Sequence, residues 1–353
     1  MNRRDMLGAL AGGALSPFVA AAAEPPAPKP APKRLGLCTD SNRARAKVPP
    51  PGLAPLFDPL NYLEYCHSLG AGGIQMPLGR REEAYCARLR AKAEAYGMFI
   101  EGSSGLPRDA ADLDRFEAEV RTARQAGAGV IRVVLIGGRR YEDYRSPEEF
   151  RARMAPALRS LELAEPIAAR HRVRLAVENH KDHRIDERLE LLKRLDSEYV
   201  GACVDTGNNI ALLDDAMEVV EAFAPWAFAV HLKDAAVKEC ASGFLLIDLP
   251  LGEGYLDLPR MVDVIRKARP ETQIVLELIV REPLEVPCLA EAYWGTMAGV
   301  PARDLARILR TVRAHEHQKP LPPIGKLKPD ELVRLEEEFI KRSMAYALEH
   351  LGL

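Results

Sequence analysis

The chain has 353 residues, 47% of them hydrophobic, and a formal net charge of −2. Its length exceeds the roughly 250 residues of one β/α barrel, so one large domain with extensions is expected. The near-neutral charge and the lack of any Lys- or Arg-rich run exclude a nucleic-acid footprint, and no nucleic-acid partner is expected.

Arg3 and Arg4 precede an apolar, small-residue stretch over 6–23 that ends in four alanines. Residues 1–23 therefore read as a twin-arginine secretory signal with A-x-A cleavage sites, which predicts export to the periplasm. The stretch is short for a spanning helix, so no stable membrane span is expected after cleavage; a retained anchor is the alternative. Residues 24–33, EPPAPKPAPK, form a proline-rich linker.

From residue 34 onward a short apolar run, a polar turn and an amphipathic segment alternate. The apolar runs cover 35–38, 73–76, 98–100, 130–136, 174–177, 200–204, 228–232 and 273–279. Segments with helical periodicity cover 82–96, 112–126, 147–170, 188–195, 216–223, 258–268 and 303–316. Such alternation argues for βαβ units with parallel strands buried on both faces. Eight units point to a closed (β/α)8 barrel, an α/β fold, over 34–318. No GxGxxG follows the first run, which weakens a dinucleotide-binding sheet. A C-terminal extension covers 319–353, where a proline-rich break precedes an amphipathic helix over 329–351. Leu332, Leu335, Phe339, Met344 and Leu348 are its expected apolar stripe. The helix would pack on the barrel, cover the active-site mouth or contact a second copy in a homo-oligomer. The six cysteines form no CxxC pair and are read as buried apolar residues, with one disulfide conceivable in an oxidising compartment.

Barrel chemistry sits at the carboxyl ends of the strands. At or near the carboxyl ends of the last four apolar runs stand Glu178, Asp205, His231 and Glu277. The steps from Glu178 to Asp205 and on to His231 are each one β/α unit; the step to Glu277 is one unit plus an insertion near 236–257. Closure would bring all four to one mouth. Three carboxylates that converge without a cation repel strongly, so one divalent metal is expected among them. Three carboxylates and an imidazole suit manganese first, with magnesium, cobalt or zinc as alternatives.

These segments resemble the xylose-isomerase-like barrel superfamily of sugar isomerases and epimerases. The matching strings are LAVENH (175–180), CVDTGN (203–208), HLKDA (231–235), LGEG (251–254) and IVLEL (274–278). The resemblance runs from about 34 to 316. It implies that Glu178, Asp205, His231 and Glu277 bind one divalent metal and that the two glutamates exchange a substrate proton. The trinuclear-zinc endonucleases of that superfamily carry His where this chain has Asn208, which argues against DNA repair.

The neighbouring residues extend the site. His180 and Lys233 join the two glutamates as catalytic candidates, His180 as a base and Lys233 as a partner for a developing negative charge. Asn208, Asp234, Arg281 and Trp294 are the substrate-binding candidates, Trp294 through stacking on a sugar ring. The expected activity is metal-dependent isomerisation or epimerisation of a small carbohydrate by proton transfer. The alternatives are a lyase acting on 3-keto-glycosides and a non-catalytic carbohydrate-binding barrel.

Overall fold

The structure is a computed structural model that describes residues 34–353; the expected signal and linker lie outside the described residues. In chain order the strands are β1 (Gly36–Cys38), β2 (Gly73–Pro77), β3 (Phe99–Ser103), β4 (Val130–Val133), β5 (Arg174–Glu178), β6 (Val200–Asp205) and β7 (Ala227–Leu232). They continue with β8 (Asp234–Cys240), β9 (Gly243–Leu249), β10 (Gln273–Leu276) and β11 (Leu284–Val286). The helices are α1 (Arg43–Lys47), α2 (Pro59–Ser68), α3 (Glu83–Tyr96), α4 (Leu113–Gln125), α5 (Arg140–Asp143) and α6 (Pro147–His171). Then come α7 (Ile185–Leu195), α8 (Ala216–Phe223), α9 (Leu258–Ala268), α10 (Ala302–Ala314) and α11 (Pro329–Tyr346).

Eight parallel strands close in the order β1-β10-β7-β6-β5-β4-β3-β2, so the chain folds as a (β/α)8 barrel. The strands are Val-, Ile-, Leu- and Ala-rich because both of their faces are covered, inside by layered side chains and outside by helices. Helix ends follow local chemistry. The Ser146 hydroxyl accepts the Glu149 N–H at the start of α6, and Gly97 closes α3 at φ 63°, a conformation that suits glycine.

The apolar runs over 130–136 and 273–279 overshoot the strands they mark. Leu135, Ile136 and Leu278 stay buried after the ladder hydrogen bonds of β4 and β10 have ended. Apolar runs report burial, not pairing. Conversely, α7 begins before its apolar periodicity does, because its first turn carries Asp186 and Glu187, which suit a helix N-terminus.

The expected insertion near 236–257 contains a second sheet. β8 and β9 form an antiparallel hairpin, and β11 adds to β9 from the loop after β10. Phe244, Leu246 and Val286 from this sheet pack with Tyr293, Met297, Ile308 and Val312 as a satellite core.

The C-terminal helix packs on the barrel through Phe339, Leu335 and Met344 of the expected stripe, with its most buried face widened to neighbouring positions. Val333, Glu336, Ile340, Ser343 and Ala347 are buried with Phe339, whereas Leu348 is 69% exposed. The Glu336 carboxylate accepts the N–H groups of Ala44 (2.7 Å) and Arg45 (2.9 Å), and the Ser343 hydroxyl accepts the Leu251 N–H. The Tyr346 ring covers Gly252, where a Cβ would clash. α11 therefore ties the loop after β1 to the loop before α9. All six cysteines are free, and five of them are buried. Among the described residues no helix is long and apolar enough to cross a membrane.

Candidate active site at the carboxyl ends of β5, β6, β7 and β10

Glu178 and Asp205 are the last residues of β5 and β6, His231 is the penultimate residue of β7, and Glu277 directly follows β10. Asp205 and His231 are register partners, and the Glu277 N–H donates to the Leu232 carbonyl. One ligand atom from each of the four lies within 4.8 Å of the others, and all four residues are buried.

Each side chain is held from behind. Asp205 Oδ1 accepts the N–H groups of Gly207 (2.9 Å) and Asn208 (2.8 Å). The Asn179 amide bridges to the Asp205 backbone N–H and carbonyl, which pins β5 to β6. Arg132, from β4, pairs with Glu178 Oε2. Burial opposes ionisation of Glu178, but the positive charge of Arg132, helped by His231, outweighs it and holds the carboxyl below its usual range. His231 Nε2 lies 2.6 Å from Gln75 Oε1, whose own Nε2 donates to Glu101 Oε2 at 3.0 Å. That network leaves Gln75 Oε1 as an acceptor, so His231 Nε2 carries the hydrogen and the lone pair of a neutral ring sits on Nδ1. Nδ1 faces the cluster, 3.5 Å from Glu178 Oε2 and 3.6 Å from Glu277 Oε2.

Towards the centre the polar atoms are unfulfilled. Asp205 Oδ2, Glu277 Oε2 and His231 Nδ1 are buried with no hydrogen-bond partner among the described residues. Lys233 Nζ stands between the carboxylates, 2.9 Å from Asp205 Oδ2 and 2.6 Å from Glu277 Oε2, at ion-pair distances but outside hydrogen-bond angles. Burial, against the pull of Lys233 and with the like charges of Glu277 and Glu178, pushes Asp205 up to about 7. Buried polar atoms are normally hydrogen-bonded, so three acceptors without a hydrogen bond that converge here, two of them beside the Lys233 ammonium, fit a cation.

The mouth above the cluster is a cavity of about 520 Å³ lined by Arg43, Arg132, Arg139, His180, Lys181, Glu277 and Arg281, among others. His180 is in place, and burial lowers its imidazole below the usual range, so it is neutral near pH 7. Asn208 is buried; its Nδ2 donates to the Asn179 carbonyl at 3.1 Å and lies 3.4 Å from Glu178 Oε1. Its Oδ1 accepts from Lys181 and, at 3.4 Å, from Lys233. Arg281 lines the mouth and pairs with Asp248 at 3.2 Å.

Two expected contacts are corrected. Asp234 faces its own loop: its oxygens accept the N–H groups of Ala235, Gly252, Gly254 and Leu256, so it shapes the LGEG turn and has no oxygen left for substrate. Trp294 does not line the mouth; its indole N–H donates to the Cys288 carbonyl at 3.0 Å, and its ring packs on the satellite core. Arg140 also turns away, to the Thr296 carbonyl and Glu187, while Arg139 stays at the mouth.

Arg132, Gln75 and Glu101 were absent from the sequence candidates. A signal existed: Gln75 and Arg132 are lone polar residues inside apolar runs, and Glu101 directly ends one. Lys181 had no such signal, because its burial follows from a left-handed loop conformation at φ 62°. Close by, Asp182 is closed on Arg188 at 2.8 and 2.9 Å and accepts the His183 N–H.

Over 262 residues the chain is 27% identical to 3-oxo-isoapionate decarboxylase of Pectobacterium atrosepticum, an alignment that covers 71% of this chain and 88% of that protein. The 3-keto-D-glucoside 4-epimerase of E. coli shares the fold at a TM-score of 0.53 and 17% identity, covering 79% of this chain and 99% of that one. A D-psicose 3-epimerase shares it at a TM-score of 0.54 and 15% identity, covering 85% and 96%. The family model for the xylose isomerase-like TIM barrel matches residues 63–308, and the chain belongs to that family.

Proposed function

We propose that this protein is a metal-dependent enzyme that moves a proton at the carbon beside a carbonyl of a small carbohydrate, as a sugar isomerase or epimerase. The observation that carries this reading is the convergence of Glu178, Asp205, His231 and Glu277, with three of their acceptor atoms lacking a hydrogen bond among the described residues. These four residues would hold one divalent ion, manganese by preference, and magnesium, cobalt or zinc suit the same donors. When bound, the ion supplies Lewis-acid polarisation of a substrate oxygen and so acidifies the neighbouring C–H.

The protein groups carry the proton. Glu178 is kept ionised by Arg132 and accepts it. Glu277 approaches from β10 with β6 and β7 between it and Glu178, and it returns the proton from its own side. Lys233 beside Glu277 stabilises negative charge, and neutral His180 at the mouth contacts a substrate hydroxyl or relays a proton.

Manganese-loaded protein incubated with a panel of ketoses and keto-sugar acids in D2O should place deuterium on the carbon beside the carbonyl of at least one of them, read by NMR. Glu178→Gln should lose that exchange and keep its melting temperature. Full exchange in Glu178→Gln, or in chelated protein, overturns the reading.

A second reading is a lyase, in which the carbanion either forms by loss of CO2 or, once formed by proton removal, expels a leaving group from the adjacent carbon. The resemblance to a decarboxylase over 88% of that protein's length favours it. Release of CO2 from a 3-oxo acid, or of an aglycone from a 3-keto-glycoside, without solvent exchange would select it.

A further inference from the structure

Lys181 is 4% exposed, and its left-handed backbone at φ 62° is one that a lysine rarely adopts. Its ammonium donates to Asn208 Oδ1, an oxygen it shares with Lys233. The two lysines differ in their counter-charges. Lys233 has Asp205 and Glu277 at 2.9 and 2.6 Å, whereas Lys181 makes no ion pair among the described residues. A buried ammonium without an ion-pair partner is costly, and folded proteins rarely keep one without use. Burial, then the positive charge of Lys233, pushes Lys181 down to about 8 against the weaker pull of Asp205 and Asp248, with Arg281 adding to the push. Arg281 lines the same cavity and is held at 3.2 Å by a single acid, Asp248, with 31% of its side chain exposed. A planar guanidinium with donors to spare suits a carboxylate.

We infer that Lys181 and Arg281 form an oxyanion subsite that takes the carboxylate of the substrate, which makes that substrate a sugar acid and not an uncharged sugar. The inference rests on the reading of this mouth as the active site. The bound carboxylate supplies the contact ion pair that Lys181 lacks among the described residues. Lys181 thus determines specificity and leaves the proton chemistry to the glutamates.

The test is calorimetric titration at pH 7 of chelated and manganese-loaded protein with D-gluconate, with sorbitol, which replaces the carboxylate by a CH2OH group, and with fructose 6-phosphate. Gluconate should bind at least about tenfold more tightly than sorbitol, the scale of one charge-assisted contact. Lys181→Met should erase that preference without weakening sorbitol, and Lys181→Arg should restore most of it. Arg281→Met, at a more exposed position, should reduce the preference and provides the same reading should Lys181→Met not fold. Equal binding of gluconate and sorbitol, a preference that survives Lys181→Met or Arg281→Met, or tighter binding of fructose 6-phosphate than of gluconate overturns the inference. Binding is read without turnover. Gluconate selectivity without solvent exchange would leave the subsite standing and remove the proton-transfer reading; exchange on uncharged ketoses without gluconate selectivity would do the reverse.

Discussion

Two kinds of buried carboxylate sit on one wall of the barrel. Asp182 and Asp234 have both oxygens engaged, the first by Arg188 and the second by four backbone N–H groups. Asp205 and Glu277 each keep an oxygen with no hydrogen-bond partner among the described residues, and both face the same lysine. Burial is equally complete in the two groups, so burial does not separate structure from chemistry. Saturation does: a carboxylate with every oxygen engaged holds a loop, and one left open can take a ligand.

This contrast can be broken by mutation. The largest effect is expected on turnover. Glu277→Gln should lower the rate of solvent exchange by roughly 10²–10⁴-fold, the range of a lost general acid or base, while leaving the denaturation midpoint near that of the parent. Next is stability. Asp182→Asn strands the Arg188 charge in the interior and should cost about 3–5 kcal/mol in urea unfolding, whereas Asp205→Asn should cost clearly less. Equal costs would erase the distinction drawn above. Third, manganese at 100 times its dissociation constant should stabilise the parent by about 2.7 kcal/mol, and Asp205→Asn should lose most of that gain. A gain unchanged by Asp205→Asn would move the cation elsewhere.

The smallest effect is a pH slope. Burial raises the Glu101 carboxyl from 4.5 to about 7. A carboxyl raised in the folded state contributes stability that is full below pH 4.5, falls across the window and is gone above about pH 7. The parent should therefore lose up to about 1.4 kcal/mol per pH unit relative to Glu101→Gln within that window. Parallel curves for the two proteins would show that Glu101 titrates normally.

The barrel was legible because strands covered on both faces leave near-continuous apolar runs, and eight of these were readable. The four strand-end residues were legible because strand register and barrel closure bring them together whatever the loops do. What escaped depends on contacts that sequence does not display. The β8–β9 hairpin was hidden inside an insertion. Asp234 was misassigned because its partners are backbone N–H groups near residues 252–256, which have no side-chain signature. Trp294 was misplaced because its partner, the Cys288 carbonyl, is equally anonymous. On α11 the burial of Glu336 escaped because its partners are the backbone N–H groups of residues 44 and 45, far away in sequence.

That last bond also bears on when the site comes into being during synthesis. β1 pairs with β10, and α11 grips the loop after β1, so both ends of the barrel meet only through sequence-distant contacts. A chain emerging from the ribosome has β1 available long before either partner exists. The first strand and its loop must wait, and such long-range closure is slow relative to local helix formation. Closure of the β1–β10 seam thus follows synthesis of β10, and the loop after β1 is gripped only once α11 has been made.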